Sequence, residues 1–362
     1  MVRFNMKVLM IGPKRDVGGG VSTVVNQLYE VGLDKDIHLK YLYTMKKSNS
    51  VIKGFVALLA IIKCLFIIPM YDIIHIHMSY GSSFYRKSII ISISKIYKKK
   101  IIIHMHGSEF KEFYFERSSN IQKKYITSIL NKCNVMLALS EEWKETLSLI
   151  MDDKKIRVFY NGVKIPTRYI EHYNGKNMIF LGALGKRKGI FDLIVAMKKL
   201  VKKYPYLHLY IGGDGNITEV KSMIEKYNLN ANIEVLGWIS GEVKTEYIMK
   251  SSLFVLPSYN EGMPMAILEA MSYGLPVIST YIGGIPKVID DRHNGVLIYP
   301  GDINALEDAI EFVIRDHTTN QLLGQSARVK IENSFNLEKN KTKLIELYES
   351  MFDLQGDREV LM

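Results

Sequence analysis

Residues 257–276 read Pro-Ser-Tyr-Asn-Glu-Gly-Met-Pro-Met-Ala-Ile-Leu-Glu-Ala-Met-Ser-Tyr-Gly-Leu-Pro, and their pattern decides the fold. The run before them, Leu253-Phe254-Val255-Leu256, is apolar throughout and predicts a strand buried on both faces of a parallel sheet. Pro257 ends that strand, and Ser258 to Gly262 form a polar loop. Pro264 suits the first turn of a helix, where a missing N–H costs nothing. Met265, Ile267, Leu268 and Met271 continue at helical spacing until Gly274 and Pro276 stop it.

Two carboxylates stand eight positions apart, Glu261 in the loop and Glu269 in the helix. The N–H groups of Gly262, Met263, Met265 and Ala266 belong to the helix opening, which attracts phosphate. A diphosphate cradle flanked by two acids that accept hydrogen bonds from hydroxyls suits a nucleotide sugar.

The same stretch resembles the retaining family 4 glycosyltransferases of the GT-B fold. The likeness is carried by Glu-Gly-Met-Pro-x-Ala-x-Leu-Glu-Ala-Met with its E-x7-E spacing, then Gly-Leu-Pro-Val-Ile-Ser-Thr and Gly-Gly-Ile-Pro. It implies an α/β chain with two Rossmann-like domains facing an interdomain cleft. Residues 1–165 would form the acceptor domain and 166–335 the nucleotide-sugar domain, with 336–362 a helix packing back towards the first. It also implies sugar transfer with retained anomeric configuration, through a front-face displacement and an oxocarbenium-like state. On these positions Gly262, Met263, Pro264, Met265 and Ala266 bind the donor, Glu261 its sugar hydroxyls and Glu269 its ribose.

A chain of 362 residues is about right for two domains, and 48% hydrophobic content with 23% charged content is that of a folded globular protein. Cys64 and Cys133 lie far apart beside apolar runs, which predicts a reducing, cytoplasmic setting and no disulfide framework. Met1 to Lys7 lacks the apolar stretch of a signal peptide. The net charge of +11 is uneven: residues 1–165 carry 26 Lys/Arg against 13 Asp/Glu, and residues 166–362 carry 22 against 24. A basic first half suits an anionic membrane surface. It lacks the aromatic interleaving and motifs of a nucleic-acid binder.

In chain order, Lys7 to Ile11 predicts a strand, and Gly18-Gly19-Gly20 opens a helix. By the resemblance, Gly19 and Gly20 lie near the donor phosphates and the acceptor. His38 to Tyr43 is a second strand. Residues 51–70 are the most hydrophobic segment, interrupted by Lys53 and Lys63, and so not a membrane span. Two roles stay open for them: a helix in the lipid interface through Phe55, Leu58, Leu59, Ile62 and Phe66, or a helix covering the N-terminal sheet. Tyr71 to His77 is a strand with His75 and His77 on one side and no third metal ligand evident. Arg86, Lys87, Lys95, Lys98, Lys99 and Lys100 make a basic patch, either a solvated face or a dock for an acceptor lipid's phosphates. Ile101 to His106 is a strand running into Gly107, which frees His106 to point into a cleft. The resemblance makes His106 catalytic, while His104 is read as packing and Glu109 as an acceptor contact. Asn134 to Ser140 and Ile156 to Val163 close the domain.

Residues 164–176 are read as the linker. Lys176 to Gly182 restarts the strand–helix pattern, and Lys186-Arg187-Lys188 can neutralise a diphosphate. The resemblance places an Arg after Gly182 and a Lys at Lys188, but Ala183 stands at the Arg position, leaving Arg187 or Lys186 to reach the phosphate. His208 to Gly212 and Ile233 to Gly237 are strands, with the base expected near Ile239 and Trp238 open between that site and the core. Further strands are expected at 277–280 and 295–298, helices at 302–315 and 336–351, and a frayed tail from Gln355.

The expected activity is hexose or N-acetylhexosamine transfer from a nucleotide sugar, with UDP favoured over GDP. The acceptor would be a lipid-linked glycan at the inner membrane face, in O-antigen, capsule or exopolysaccharide synthesis. No cofactor is expected, and no required metal, since no apolar-flanked Asp-x-Asp occurs. Two rivals are considered. A nicotinamide-dependent oxidoreductase needs an acidic residue ending the second strand, which Leu39 to Tyr43 lacks. A catalytically impaired nucleotide-sugar binder follows from Ala183.

Overall fold

The computed structural model describes residues 6–170 and 175–359. Residues 1–5, residues 171–174 within the stretch expected to be a linker, and residues 360–362 lie outside the described part. The chain divides into two compact units, residues 1–161 with 337–362, and residues 162–336.

The first unit holds six parallel strands: β1 (Lys7–Gly12), β2 (His38–Tyr43), β3 (Ile73–Met78), β4 (Lys100–Met105), β5 (Val135–Ala138) and β6 (Ile156–Val158). Their order is β2-β1-β3-β4-β5-β6. Leu9, Ile11, Ile74, Ile76 and Ile103 fill the sheet's core against Phe84, Ile91 and Phe110. Burying each such side chain contributes about 1.5–3 kcal/mol.

The second unit repeats the scheme with β7 (Asn177–Leu181), β8 (His208–Gly212), β9 (Ile233–Gly237), β10 (Leu253–Val255), β11 (Val277–Thr280) and β12 (Gly295–Ile298). Their order, β12-β11-β10-β7-β8-β9, is that of a doubly wound dinucleotide-binding sheet. The helix Ile190–Lys203 shows how the sequence builds the outer layer, with Ile190, Leu193, Ile194, Met197 and Leu200 buried along one stripe. In such sheets ligands gather where the strand order reverses, outside the carboxyl ends of the flanking strands. Here those strands are β7 and β10, and the run 257–276 follows β10 directly.

Several expectations need correction. Pro264 sits one place before its helix, as an extended N-cap, and the helix is Met265–Ser272. The strand expected over 156–163 stops at Val158, and Val163 bridges instead to Asn336 within the second unit. The final helix, Leu337–Glu359, runs past Gln355. A further helix not expected from sequence, His317–Ser334, is opened by Asp316, whose carboxylate accepts from the Thr318 and Thr319 N–H groups.

The hydrophobic segment forms the helix Ser50–Ile67. Of the two roles left open for it, the covering of the N-terminal unit is realised in part. Ala57, Ala60 and Cys64 make a narrow buried seam, while Phe55 and Phe66 are 60% and 73% exposed, with Val51, Leu58, Leu59 and Ile62 also exposed. Residues 50–70 are also long and apolar enough to cross a membrane, by length and composition alone.

Glycine is required where the loops after β7 and β10 meet. Gly189 has φ +70°, and a Cβ there would lie 2.0 Å from the Pro257 carbonyl oxygen. Gly189→Ala is therefore expected to destabilise the chain by about 2–4 kcal/mol, combining left-handed strain with overpacking. Urea midpoints measure it, and an unchanged midpoint would mean that the two loops part freely.

Candidate functional site

In the second unit the site is built from a turn and a loop. After β7, Gly182 donates its N–H to the Gly212 carbonyl, and Lys186–Lys188 wind into one 3-10 turn. After β10, Ser258 to Gly262 fold against that turn, with the Tyr259 N–H donating to the Arg187 carbonyl at 2.8 Å. Lys188 Nζ pairs with Glu261 Oε1, and Ser258 Oγ donates to the same oxygen at 2.9 Å. Arg187 Nη1 donates to the Asn260 carbonyl at 3.0 Å and lies 4.0 Å from Glu261 Oε2.

The Glu261 side chain is 7% exposed. A carboxylate so withdrawn from water persists as an ion only with charged or donating partners. Lys188, Arg187 and Ser258 supply them. The loop after β11 braces the same backbone: the Gly284 N–H donates to the Gly262 carbonyl, and a Cβ on Gly283 would lie 1.9 Å from the Glu261 carbonyl oxygen.

The helix Met265–Ser272 places Pro264, Met265 and Ala266 at its opening, where the first N–H groups have no partner within the helix. Gly262, Met263, Pro264 and Met265 are buried and Ala266 is half-buried. Glu269 pairs with Lys244 at 2.8 Å, a partner the sequence pass missed, and its side chain is largely withdrawn from solvent. Ile239 is half-buried and lies against Gly212, where an added Cβ would meet its Cγ1 at 3.0 Å. Trp238 is 52% exposed and so is not core. Ala183 is exposed beside Gly182.

The first unit presents two features at its strand ends. Gly18 and Gly19 take positive φ, and the helix Gly20–Glu30 follows them. Open space surrounds the Cβ positions of Gly19 and Gly20. The second feature is a column of imidazoles. Parallel pairing sets His77 of β3 beside His104 of β4, and the strand period adds His75 on the same face. Ring centroids lie 4.6 Å apart for His75–His77 and 5.2 Å apart for His77–His104. His104 thus supplies the third potential ligand that is not evident from sequence. His106 is half-buried rather than projecting freely, with its Nε2 2.8 Å from His77 Nδ1. His75 Nδ1 lies 2.5 Å from the hydroxyl of Tyr348, a fully buried residue of the final helix. The spacing of Leu344, Leu347, Tyr348 and Met351 is the sequence signal for that buried face.

Burial holds His75, His77 and His106 well below the usual imidazole range, and brings His104 down to about 3.

The basic patch is corrected at Lys87. It lies on the inward stripe of the helix Ser82–Ile96 with Phe84, Ser88 and Ile91, and its Nζ donates to Ser83 Oγ at 2.9 Å. Arg86 is half-buried, while Lys95, Ile96, Tyr97 and Lys98 are exposed. Glu109 pairs with Arg117 at 3.2 Å.

Burial, with Arg86 adding, brings the Lys87 ammonium down to about 7 from 10.5. In that window the unfolded chain holds a proton that the folded chain does not, so stability falls as pH drops through it. The slope approaches about 1.4 kcal/mol per pH unit. Urea midpoints of the wild type and Lys87→Met are expected to differ in pH dependence by that slope, and parallel curves would show that Lys87 stays charged in the fold.

The chain matches two family models, Glycosyltransferase Family 4 over residues 19–165 and Glycosyl transferases group 1 over residues 168–330. It is 29% identical over 342 residues to UDP-Gal:alpha-D-GlcNAc-diphosphoundecaprenol alpha-1,3-galactosyltransferase of Escherichia coli, covering 88% of this chain and 85% of that one. Among solved structures it is similar to sucrose-phosphate synthase of Thermosynechococcus elongatus (TM-score 0.79, 17% identity, 96% of this chain and 100% of that chain). It is also similar to HepE of Anabaena in complex with UDP-glucose (TM-score 0.77, 17% identity, 96% and 100%).

Proposed function

We propose, for a chain that belongs to the family 4 glycosyltransferases of the GT-B fold, a retaining transfer of a hexose or N-acetylhexosamine from a UDP-sugar to a lipid-linked glycan. The observation that carries it is the Lys188–Glu261 pair with Arg187 and Ser258 at the reversal point of the second sheet. Lys188 and the helix opening at 262–266 would take the departing diphosphate, and Glu261, freed from Lys188, would accept bonds from sugar hydroxyls. Glu269 would hold the ribose, Ile239 would lie by the base, and His106 would contact the sugar in transit. The diphosphate charge is met by Lys188 and backbone N–H groups, so no metal is called for there. The UDP preference is supported by the E. coli relative, named for a UDP-Gal donor, and by the UDP-glucose bound to HepE.

The lipid-linked acceptor is supported by the same relative, whose name specifies a diphosphoundecaprenol-linked sugar. The exposed apolar side of the helix Ser50–Ile67, with Lys53, Lys63, Lys95 and Lys98 exposed nearby in sequence, suits the anionic inner face of a membrane. We place the protein there, on the cytoplasmic side, in surface-polysaccharide synthesis.

A second reading is favoured by one observation. Ala183 offers no cation, and of the two substitutes expected from sequence Arg187 is already committed to the Asn260 carbonyl and Glu261, which leaves the exposed Lys186. On that reading the chain binds nucleotide sugar but turns it over poorly.

Thermal-shift titration with UDP-, GDP- and ADP-sugars tests donor binding. UDP-sugars are expected to stabilise the chain and Glu261→Gln to lower turnover on the order of 10²–10³-fold. No shift with any donor would refute the assignment. Ala183→Arg separates the readings: a large rise in UDP release points to the impaired binder, and an unchanged rate to a competent native enzyme.

Co-sedimentation with anionic vesicles at moderate salt is expected to retain the wild type and release a Phe55→Ser, Leu58→Ser, Phe66→Ser variant. Equal retention of both would remove this helix from the membrane contact.

A further inference from the structure

The column of imidazoles in the first unit has properties that simple packing does not explain. One ring nitrogen from each of His75, His77 and His104 lies within 4.8 Å of the other two, and all three residues are buried. Among the described residues, four of their ring nitrogens have no hydrogen-bond partner: Nε2 of His75, Nε2 of His77 and both nitrogens of His104. Each such group left unsatisfied in a protein interior costs about 1–3 kcal/mol. A cation bound to one nitrogen of each ring would satisfy three of the four.

The pattern of satisfied nitrogens is equally specific. His75 and His77 each spend Nδ1 on a hydrogen bond, to the Tyr348 hydroxyl and to His106 Nε2, and each leaves Nε2 open. When Nδ1 carries the proton and donates, Nε2 bears a lone pair. That is the tautomer a metal ion requires, and the Tyr348 and His106 contacts are of the kind that orient ligating imidazoles.

We propose that His75, His77 and His104 bind a divalent transition-metal ion of the zinc class. An all-imidazole set with no carboxylate suits zinc, cobalt, nickel or copper and discriminates against magnesium and calcium. Tetrahedral zinc with bonds of 2.0–2.1 Å needs ligand nitrogens about 3.4 Å apart, so the rings would draw together from their present spacing. The ion would tie the end of β3 to the end of β4. Through His77 it would also fix His106 with Nε2 as the acceptor. This inference concerns the first unit and stands apart from the donor assignment made for the second.

One neighbour opposes it. Below about pH 7, where Lys87 holds its proton, it bears on His77 and His106 electrostatically, and a buried ammonium repels a dication. That opposition supplies a directional test.

The test uses the full, tag-free chain, stripped with chelator and titrated with Co²⁺ while its visible absorption is recorded. The expected result is saturation at one Co²⁺ per chain with the intense bands of tetrahedral coordination, displaced by Zn²⁺. His104→Leu is expected to abolish the bands, and Lys87→Met to tighten binding below about pH 7 with little change above it. A folded wild type that develops no bands would overturn the proposal, as would a His104→Leu chain that binds cobalt equally well. If His104→Leu does not fold, His104→Asn decides, and unchanged affinity there counts against the site.

Discussion

A single buried carboxylate constrains the second unit. Glu261 is nearly removed from solvent, and an ionised acid in that position must be met by cations at contact distance. The cations come from the turn after β7, whereas the acid comes from the loop after β10. Those loops can touch because their strands are neighbours at the point where the strand order reverses. The glycines follow from the same demand. Gly189 lets the turn lie against Pro257, and Gly283 lets the next loop press on the Glu261 backbone. Strand order, loop contact and charge pairing are thus one arrangement.

The first unit inverts the chemistry. Its buried ionisable groups on β3 and β4 are imidazoles, held neutral by burial. They form one column because the pleat and the parallel register stack them, and Tyr348 of the final helix closes one end. A polar column inside a sheet of isoleucines is costly unless its nitrogens are occupied, which makes it a structural commitment rather than ordinary filling.

The helix Ser50–Ile67 adds a third device. A seam of small residues, Ala57, Ala60 and Cys64, docks it with little area, so most of its apolar surface stays outside. A contiguous apolar face of that kind is unusual on a protein surrounded only by water.

Local chemistry and periodicity determined much of this from sequence alone. The continuous apolar runs placed the strands, because strands buried on both faces need no alternation. The Glu261–Ala266 stretch and Lys186-Arg187-Lys188 marked the candidate site of the second unit, because glycine, proline and charge at strand-to-helix turns are local signals. What tertiary structure decided were the pairings across sequence distance. Lys188 meets Glu261 and Lys244 meets Glu269, whereas Lys87 turns inward instead of joining the exposed lysines. His104 joins His75 and His77. The physical reason is that a residue's charge and shape are written in the chain, but its dielectric surroundings and partners exist only once neighbouring strands are aligned in register.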